Sequence, residues 1–156
     1  MILVSACLIG VDCKYNGGNN KNDKLINYLK DKNIVPVCPE QLGGLCTPRI
    51  PAEIVGGSAD DVINGKAKVI NKEGLDVTKE FLKGAYETLK ICRNLGINKA
   101  ILKEKSPSCG SNQVYDGSFK SNLIDGYGIT AALLIKDGID LKSEKYFEGG
   151  EENGLK

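Results

Sequence analysis

Short apolar runs alternate with stretches of helical periodicity along this chain, and this alternation restricts its fold more than any other feature. Met1 to Cys7, Ile34 to Cys38 and Lys99 to Lys103 are short apolar runs, typical of strands that are covered on both faces. The clearest helix begins at Asp76 and is stopped by Gly96. Strands that alternate with helices need crossover connections, so we expect an α/β fold with a mainly parallel sheet and helices on both faces.

The rest of the sequence predicts shorter elements within one domain. These are a first helix capped by Asp23, a strand over Lys68 to Asn71, a hairpin over Gln113 to Phe119, a helix over Ile129 to Ile135 and a last strand over Lys145 to Phe147. Residues 39–60 are too rich in Gly and Pro for regular structure, which predicts an irregular but packed functional loop. Pro36 removes one ladder donor from the second strand, which suggests an edge strand or an irregular stretch. We expect one domain over residues 1–148 and a polar tail over 149–156.

Composition excludes several kinds of chemistry. The 156 residues include six cysteines and no histidine, which removes Cys/His zinc sites, Ser/His/Asp triads and Cys/His dyads. The formal net charge is +1, so no strong field attracts nucleic acid or a membrane surface. No apolar run approaches the about 18 residues of a membrane span. We therefore expect a cytoplasmic protein with reduced thiols and no nucleic-acid or membrane partner. Its oligomeric state is not indicated.

Three cysteines occupy equivalent positions near the ends of predicted strands. Cys7 and Cys38 end the first two strands, and Cys109 follows the third. Ligands of open α/β sheets bind outside the carboxyl ends of the strands, so these thiols are expected to converge. Thiolates without imidazole suit zinc or an iron-sulfur cluster, and three ligands to a 4Fe-4S cluster would leave one iron open. The alternative is that they are small buried hydrophobic residues, which is the role expected for Cys92.

Other polar residues are expected at the same place. Glu40 follows Cys38 by two residues and is a candidate general base. Lys103 is a candidate to stabilise a developing anion, and Ser106 lies in the turn before Cys109. Cys13 and Cys46, in glycine-rich loops, are open as ligands, redox partners or bystanders. Free amides at the start of the helix in Gly126 to Ala131 are candidates to hold a substrate oxygen.

The sequence resembles a known family along almost its whole length, from residue 1 to about residue 140. The blocks that carry the resemblance are SACLIG (Ser5 to Gly10), KYNGG (Lys14 to Gly18), PVCPEQLGGL (Pro36 to Leu45), TPR (Thr47 to Arg49), LKEKSPSCG (Leu102 to Gly110), VYDGSF (Val114 to Phe119) and GYGITAALL (Gly126 to Leu134). They are similar to the thiouracil desulfidases, small bacterial and archaeal proteins formerly of unknown function. One departure is Cys46, which stands where the family usually has proline.

The resemblance implies a Rossmann-like single domain that binds a 4Fe-4S cluster through Cys7, Cys38 and Cys109. It implies non-redox removal of sulfur from thiouracil or a thiouridine nucleotide, with hydrosulfide as the product. By the same resemblance Glu40 activates water, and Lys103 and Ser106 orient the ring or transfer protons. The alternatives left open are a non-catalytic iron-sulfur or zinc protein and a thiol redox enzyme that uses Cys13 or Cys46 with Cys7.

Overall fold

A four-stranded parallel sheet forms the centre of the molecule. In the computed structural model, which describes residues 1–149, the sheet order is β2-β1-β5-β8. The strands are β1 (Ile2–Ser5), β2 (Ile34–Val37), β5 (Lys99–Leu102) and β8 (Asp140–Ser143). All three pairings are parallel, which confirms the predicted α/β class. β2 is a regular strand at an edge of the sheet, which is the first of the two alternatives that Pro36 suggested.

Helices cover both faces of the sheet, because successive side chains of a strand point to opposite sides. Leu3 packs into one apolar cluster with the helices α4 (Thr78–Leu95) and α5 (Ile129–Lys136). Its neighbour Val4 packs into a second cluster with the helix α1 (Asp23–Leu29). The strand sequences are apolar at successive positions because alternate side chains pack into two different hydrophobic clusters, one on each face of the sheet.

The segment 39–60 contains regular structure that the sequence did not predict. It includes the helix α2 (Pro39–Leu42) and the strand β3 (Ala52–Val55), and the helix α3 (Ala59–Ile63) begins near its end. β3 pairs with β4 (Lys68–Asn71) in a two-stranded antiparallel sheet, and α3 lies in the connection between them. The prediction of an irregular loop was wrong here because four-residue elements are stabilised by their partners and not by a periodic pattern of their own.

Several predicted boundaries also need correction. Cys7 does not end β1 but lies in the 3-10 turn Ala6–Ile9 that follows it. The cap of α1 is Asn22, whose side chain accepts the Leu25 N–H at 3.0 Å, and not Asp23. The helix α4 begins at Thr78, two residues after Asp76, and ends as predicted before Gly96.

The predicted hairpin and the predicted last strand differ from the structure as well. The hairpin joins β6 (Gln113–Tyr115) to β7 (Leu123–Asp125), so Phe119 lies in its loop and not in its second strand. Lys145 to Phe147 belongs to a helix, α6 (Lys145–Glu148). The predicted tail lies, apart from Gly149, outside the described residues. No helix within residues 1–149 is long and apolar enough to cross a membrane.

Two glycines bring α2 into direct backbone contact with α4. A Cβ at Gly84 in α4 would overlap the carbonyl of Pro39, and one at Gly43 would overlap the carbonyl of Glu80. Only glycine permits so close an approach. The contact fixes the segment that follows β2, where Cys38 and Glu40 lie.

Candidate functional site

The carboxyl ends of β1, β2 and β5 open into a cavity of about 450 Å³. Its lining brings together the residues that the sequence singled out: Cys7, Cys38, Cys109, Glu40, Lys103 and Ser106. Cys7 comes from the turn after β1, and Cys38 stands between β2 and α2. Cys109 comes from the turn after β5. Residues far apart in the chain therefore share one site because parallel strands end at the same edge.

Cys13 is a fourth thiol in this cavity, and it links two of the others. It is 2% exposed and hydrogen-bonded to both Cys7 and Cys38, which raises the pKa of Cys13. Each hydrogen bond also acts on its partner thiol: the pKa of Cys7 is lowered from its ordinary value, and the pKa of Cys38 is lowered to about 6. These hydrogen bonds shift both candidate ligands toward the thiolate form, which is the form that binds metals.

Cys109 lies deeper, in a turn that Ser106 organises. The Ser106 hydroxyl oxygen accepts the backbone N–H groups of Ser108 and Cys109, each at 3.1 Å. Burial raises the pKa of Cys109, although a hydrogen bond with Ser5 opposes this. The free protein therefore favours a protonated Cys109 thiol, so its binding to a metal group would release a proton.

Glu40 lies beside this turn and is held by an arginine. Its Oε1 is 3.4 Å from the Ser106 Oγ, and its Oε2 accepts a hydrogen bond from Nε of Arg49 at 2.6 Å. The Glu40 and Arg49 side chains are 16% and 9% exposed. A carboxylate in this position can accept a proton from a molecule within the cavity.

The Lys103 ammonium is held by the Glu144 carboxylate and by the backbone carbonyl of Glu104. Its Nζ is 2.6 Å from Oε1 of Glu144 and 3.1 Å from the carbonyl oxygen of Glu104. The other oxygen of Glu144 accepts the Glu104 N–H at 2.8 Å. The ammonium lines the cavity but is already ion-paired, so Glu144 controls where it points. The sequence did not single out Glu144, which lies 41 residues from Lys103.

Part of the cavity wall has strained backbone. Within the described residues, the non-glycine residues with positive φ are Lys105, Phe119 and Ser121, and all of them line the cavity. Glu53 fixes the loop that carries Phe119 by accepting the N–H groups of Gly117 and Phe119 at 3.0 and 3.2 Å. Such conformations concentrate at binding sites, where the surrounding structure maintains them.

The amides at the start of α5 do not face a ligand, which corrects a prediction from the sequence. Ile129 donates its N–H to the Pro107 carbonyl at 2.8 Å, and Thr130 donates to the Ser108 carbonyl at 2.9 Å. A Cβ at Gly128 would overlap the Ser108 backbone. Gly128 therefore allows this helix to pack directly on the Cys109 turn, and the N–H groups of Ile129 and Thr130 are hydrogen-bonded to that turn.

The remaining cysteines lie away from this cavity. Cys92 is 1% exposed within the apolar core, as predicted, and burial raises the pKa of Cys92 to about 11. Cys46 is exposed and does not line the cavity. The extra thiol at this position is thus separate from the four thiols that share the site.

The cysteine thiols that line the cavity are the ligand type that iron-sulfur clusters take. Among residues 1–149, no three His, Cys, Asp or Glu side chains are arranged to hold one metal ion. A cube of iron and sulfide binds its thiolates at separate corners, so it needs a wider ring of ligands than zinc does. Cys7, Cys38 and Cys109 surround a cavity of suitable chemistry for such a group.

The fold and the site together define an α/β protein with a thiolate-lined crevice at the carboxyl edge of a parallel sheet. Residues 2–146 match the family model described as 2-thiouracil desulfurase, and the chain belongs to this family. The resemblance seen in the sequence is thereby confirmed.

Two relatives support the assignment. One is a solved structure described as the [4Fe-4S]-dependent thiouracil desulfidase TudS, which superposes on this chain with a TM-score of 0.81. The two sequences are 41% identical, and the match covers 92% of this chain and 90% of the TudS chain. The uncharacterized protein YbbK of Bacillus subtilis (strain 168) is 47% identical over 144 residues, which are 92% of this chain and 95% of YbbK.

Proposed function

We propose that this protein is a 4Fe-4S-dependent desulfidase that removes sulfur from thiouracil or a closely related thiolated pyrimidine. The observation that carries the proposal is the convergence of Cys7, Cys38 and Cys109 on one cavity with Glu40. The family and the solved relative support the cluster and the reaction class. We assign the three cysteines as the protein ligands, which leaves one iron open to the substrate.

When bound, the cluster would supply a Lewis-acidic iron for the thiocarbonyl sulfur. The overall reaction is hydrolytic: a C–O bond forms between water and the ring carbon, the C–S bond breaks, and hydrosulfide leaves with the electron pair. No external oxidant or reductant is needed. Glu40 accepts the proton of the attacking water. The Ser106 hydroxyl donates a hydrogen bond to the Glu40 carboxylate and so helps to hold it in place. Lys103, fixed by Glu144, stabilises the negative charge that develops on the substrate.

The contacts of Cys13 favour a second candidate, a thiol redox enzyme. Its thiol is hydrogen-bonded to Cys7 and to Cys38, so a disulfide needs little movement. This reaction would oxidise two thiols to a disulfide and pass two electrons and two protons to an acceptor such as a small disulfide.

Anaerobic purification followed by a turnover assay separates the two functions. A desulfidase contains stoichiometric iron and acid-labile sulfide and converts 2-thiouracil to uracil and sulfide. A redox enzyme lacks iron and reduces a disulfide substrate. Glu40→Gln should retain the cluster absorption and lose desulfuration, whereas the control Glu87→Gln, whose side chain pairs with Lys90 in α4, should retain both. Full activity of Glu40→Gln would remove Glu40 from the mechanism.

A further inference from the structure

Arg49 contacts Glu40 and both of the segments that carry Cys13 and Cys38. Its Nε donates to Glu40 at 2.6 Å, and one terminal nitrogen donates to the Cys13 carbonyl at 2.9 Å and lies 4.0 Å from the Cys38 sulfur. The other terminal nitrogen donates to Oγ1 of Thr47 at 3.0 Å and to the Cys46 carbonyl at 3.3 Å. Every nitrogen of the guanidinium therefore has a partner.

The backbone of Arg49 adds a further connection, because its N–H donates to the carbonyl of Tyr15 at 2.7 Å. One residue thus joins the loop of Cys13, the segment of Cys38 and Glu40, and its own loop. The side chain is 9% exposed, so its charge is only weakly screened by water. A planar guanidinium can donate hydrogen bonds to all of these partners at once, whereas an ammonium cannot.

We propose that Arg49 is a positioning residue that orients the Glu40 carboxylate and, through its contact with the Cys38 sulfur, tunes the electron density of the metal group. This inference rests on the proposed function. Arg49 reaches the chemistry through Glu40 and Cys38 and is not itself assigned a proton transfer.

Two physical effects follow from this geometry. A carboxylate held by a charge-assisted hydrogen bond keeps one orientation. Glu40 therefore loses little side-chain entropy when it accepts the proton of the attacking water. A positive charge and an N–H donor near a ligand sulfur stabilise the reduced cluster and raise its reduction potential. Loss of the guanidinium should therefore lower both the turnover number and the potential.

The test compares anaerobically purified, iron-loaded Arg49→Lys and Arg49→Met with the wild type. Arg93 provides the matched control, since it is the only other arginine and it forms a 2.6 Å ion pair with Asp137 on the surface. We expect both Arg49 variants to keep their iron and to lose about 10- to 100-fold in kcat, with a smaller change in KM. Their midpoint potentials should fall, with Arg49→Met lowest, while Arg93→Met stays at the wild-type values.

A double variant tests whether Arg49 acts through Glu40. The residual turnover of Glu40→Gln should fall by much less than 10-fold when Arg49→Met is added, because the contact with Glu40 accounts for most of the effect of Arg49 on turnover. A further 10-fold loss in the double variant would overturn the positioning role, as would wild-type kcat and potential in Arg49→Lys. If the wild type binds iron but does not convert 2-thiouracil, the proposed function fails, and the shift in potential still decides the role of Arg49 at Cys38.

Discussion

Glu104 is a buried anion whose removal should weaken the turn that carries Cys109. The side chain is 2% exposed and accepts six hydrogen bonds, four from backbone N–H groups of residues 105 and 111–113 and two from the side chains of Ser111 and Asn112. Burial acts to raise the pKa of Glu104, but these donors outweigh it and hold the pKa at about 2, below the ordinary value of 4.5.

This shift sets the magnitude of the expected effect. A pKa that falls from 4.5 to about 2 on folding corresponds to about 3 kcal/mol of stability at neutral pH. Glu104→Gln removes the charge and places an amide nitrogen against the donors of Ser111 and Asn112. We therefore expect the variant to lose about 2 to 3 kcal/mol of unfolding free energy at pH 7.

Urea denaturation of the cluster-free protein between pH 2 and pH 7 measures this loss. Because the folded-state pKa is lowered, the contribution of Glu104 is complete above about pH 4.5 and disappears as the pH falls through about 2. The difference between wild type and Glu104→Gln should shrink accordingly, while the exposed control Glu73→Gln should show little difference at any pH. A variant within about 0.5 kcal/mol of wild type at pH 7 would refute the reasoning.

Three further predictions concern the core and the approach to the site. Gly84→Ala should destabilise the protein by more than about 2 kcal/mol in a urea titration, because the added Cβ overlaps the Pro39 carbonyl. Alanine usually stabilises a helix, so a stabilised variant would contradict the contact. Cys92→Ala should keep its iron and lose only about 1 kcal/mol, and loss of iron would show that this core thiol serves the site. Glu144→Gln should lower the free energy of unfolding by about 2 kcal/mol and reduce turnover at unchanged iron content, because Lys103 loses its ion pair. Unchanged turnover would mean that this ion pair does not orient Lys103.

The parts of the fold that the sequence predicts correctly are those with a strong pattern of their own. The apolar runs of β1 and β5 and the periodic face of α4 fix the layers, and the parallel strands then bring Cys7, Cys38 and Cys109 to one edge. Their convergence needs only the rule that ligands bind at the carboxyl ends of strands.

The parts that it does not predict depend on partners elsewhere in the chain. β3 is stabilised by its pairing with β4, and α6 by the packing of Phe147 on Tyr28, whose ring centroids are 4.8 Å apart. The roles of Arg49 and Cys13 depend on side-chain reach across loops, which no local pattern encodes. The TPR block marked Arg49 as part of a motif but gave no signal of its contacts.

The most direct test of the account is the iron content of anaerobically purified single cysteine variants. We predict about four iron atoms per chain in the wild type and in Cys13→Ser, Cys46→Ser and Cys92→Ala, and a loss of iron in Cys7→Ser, Cys38→Ser and Cys109→Ser. Full iron content in any of the last three, or its loss in Cys13→Ser, would contradict the assignment of three cysteine ligands around one open iron.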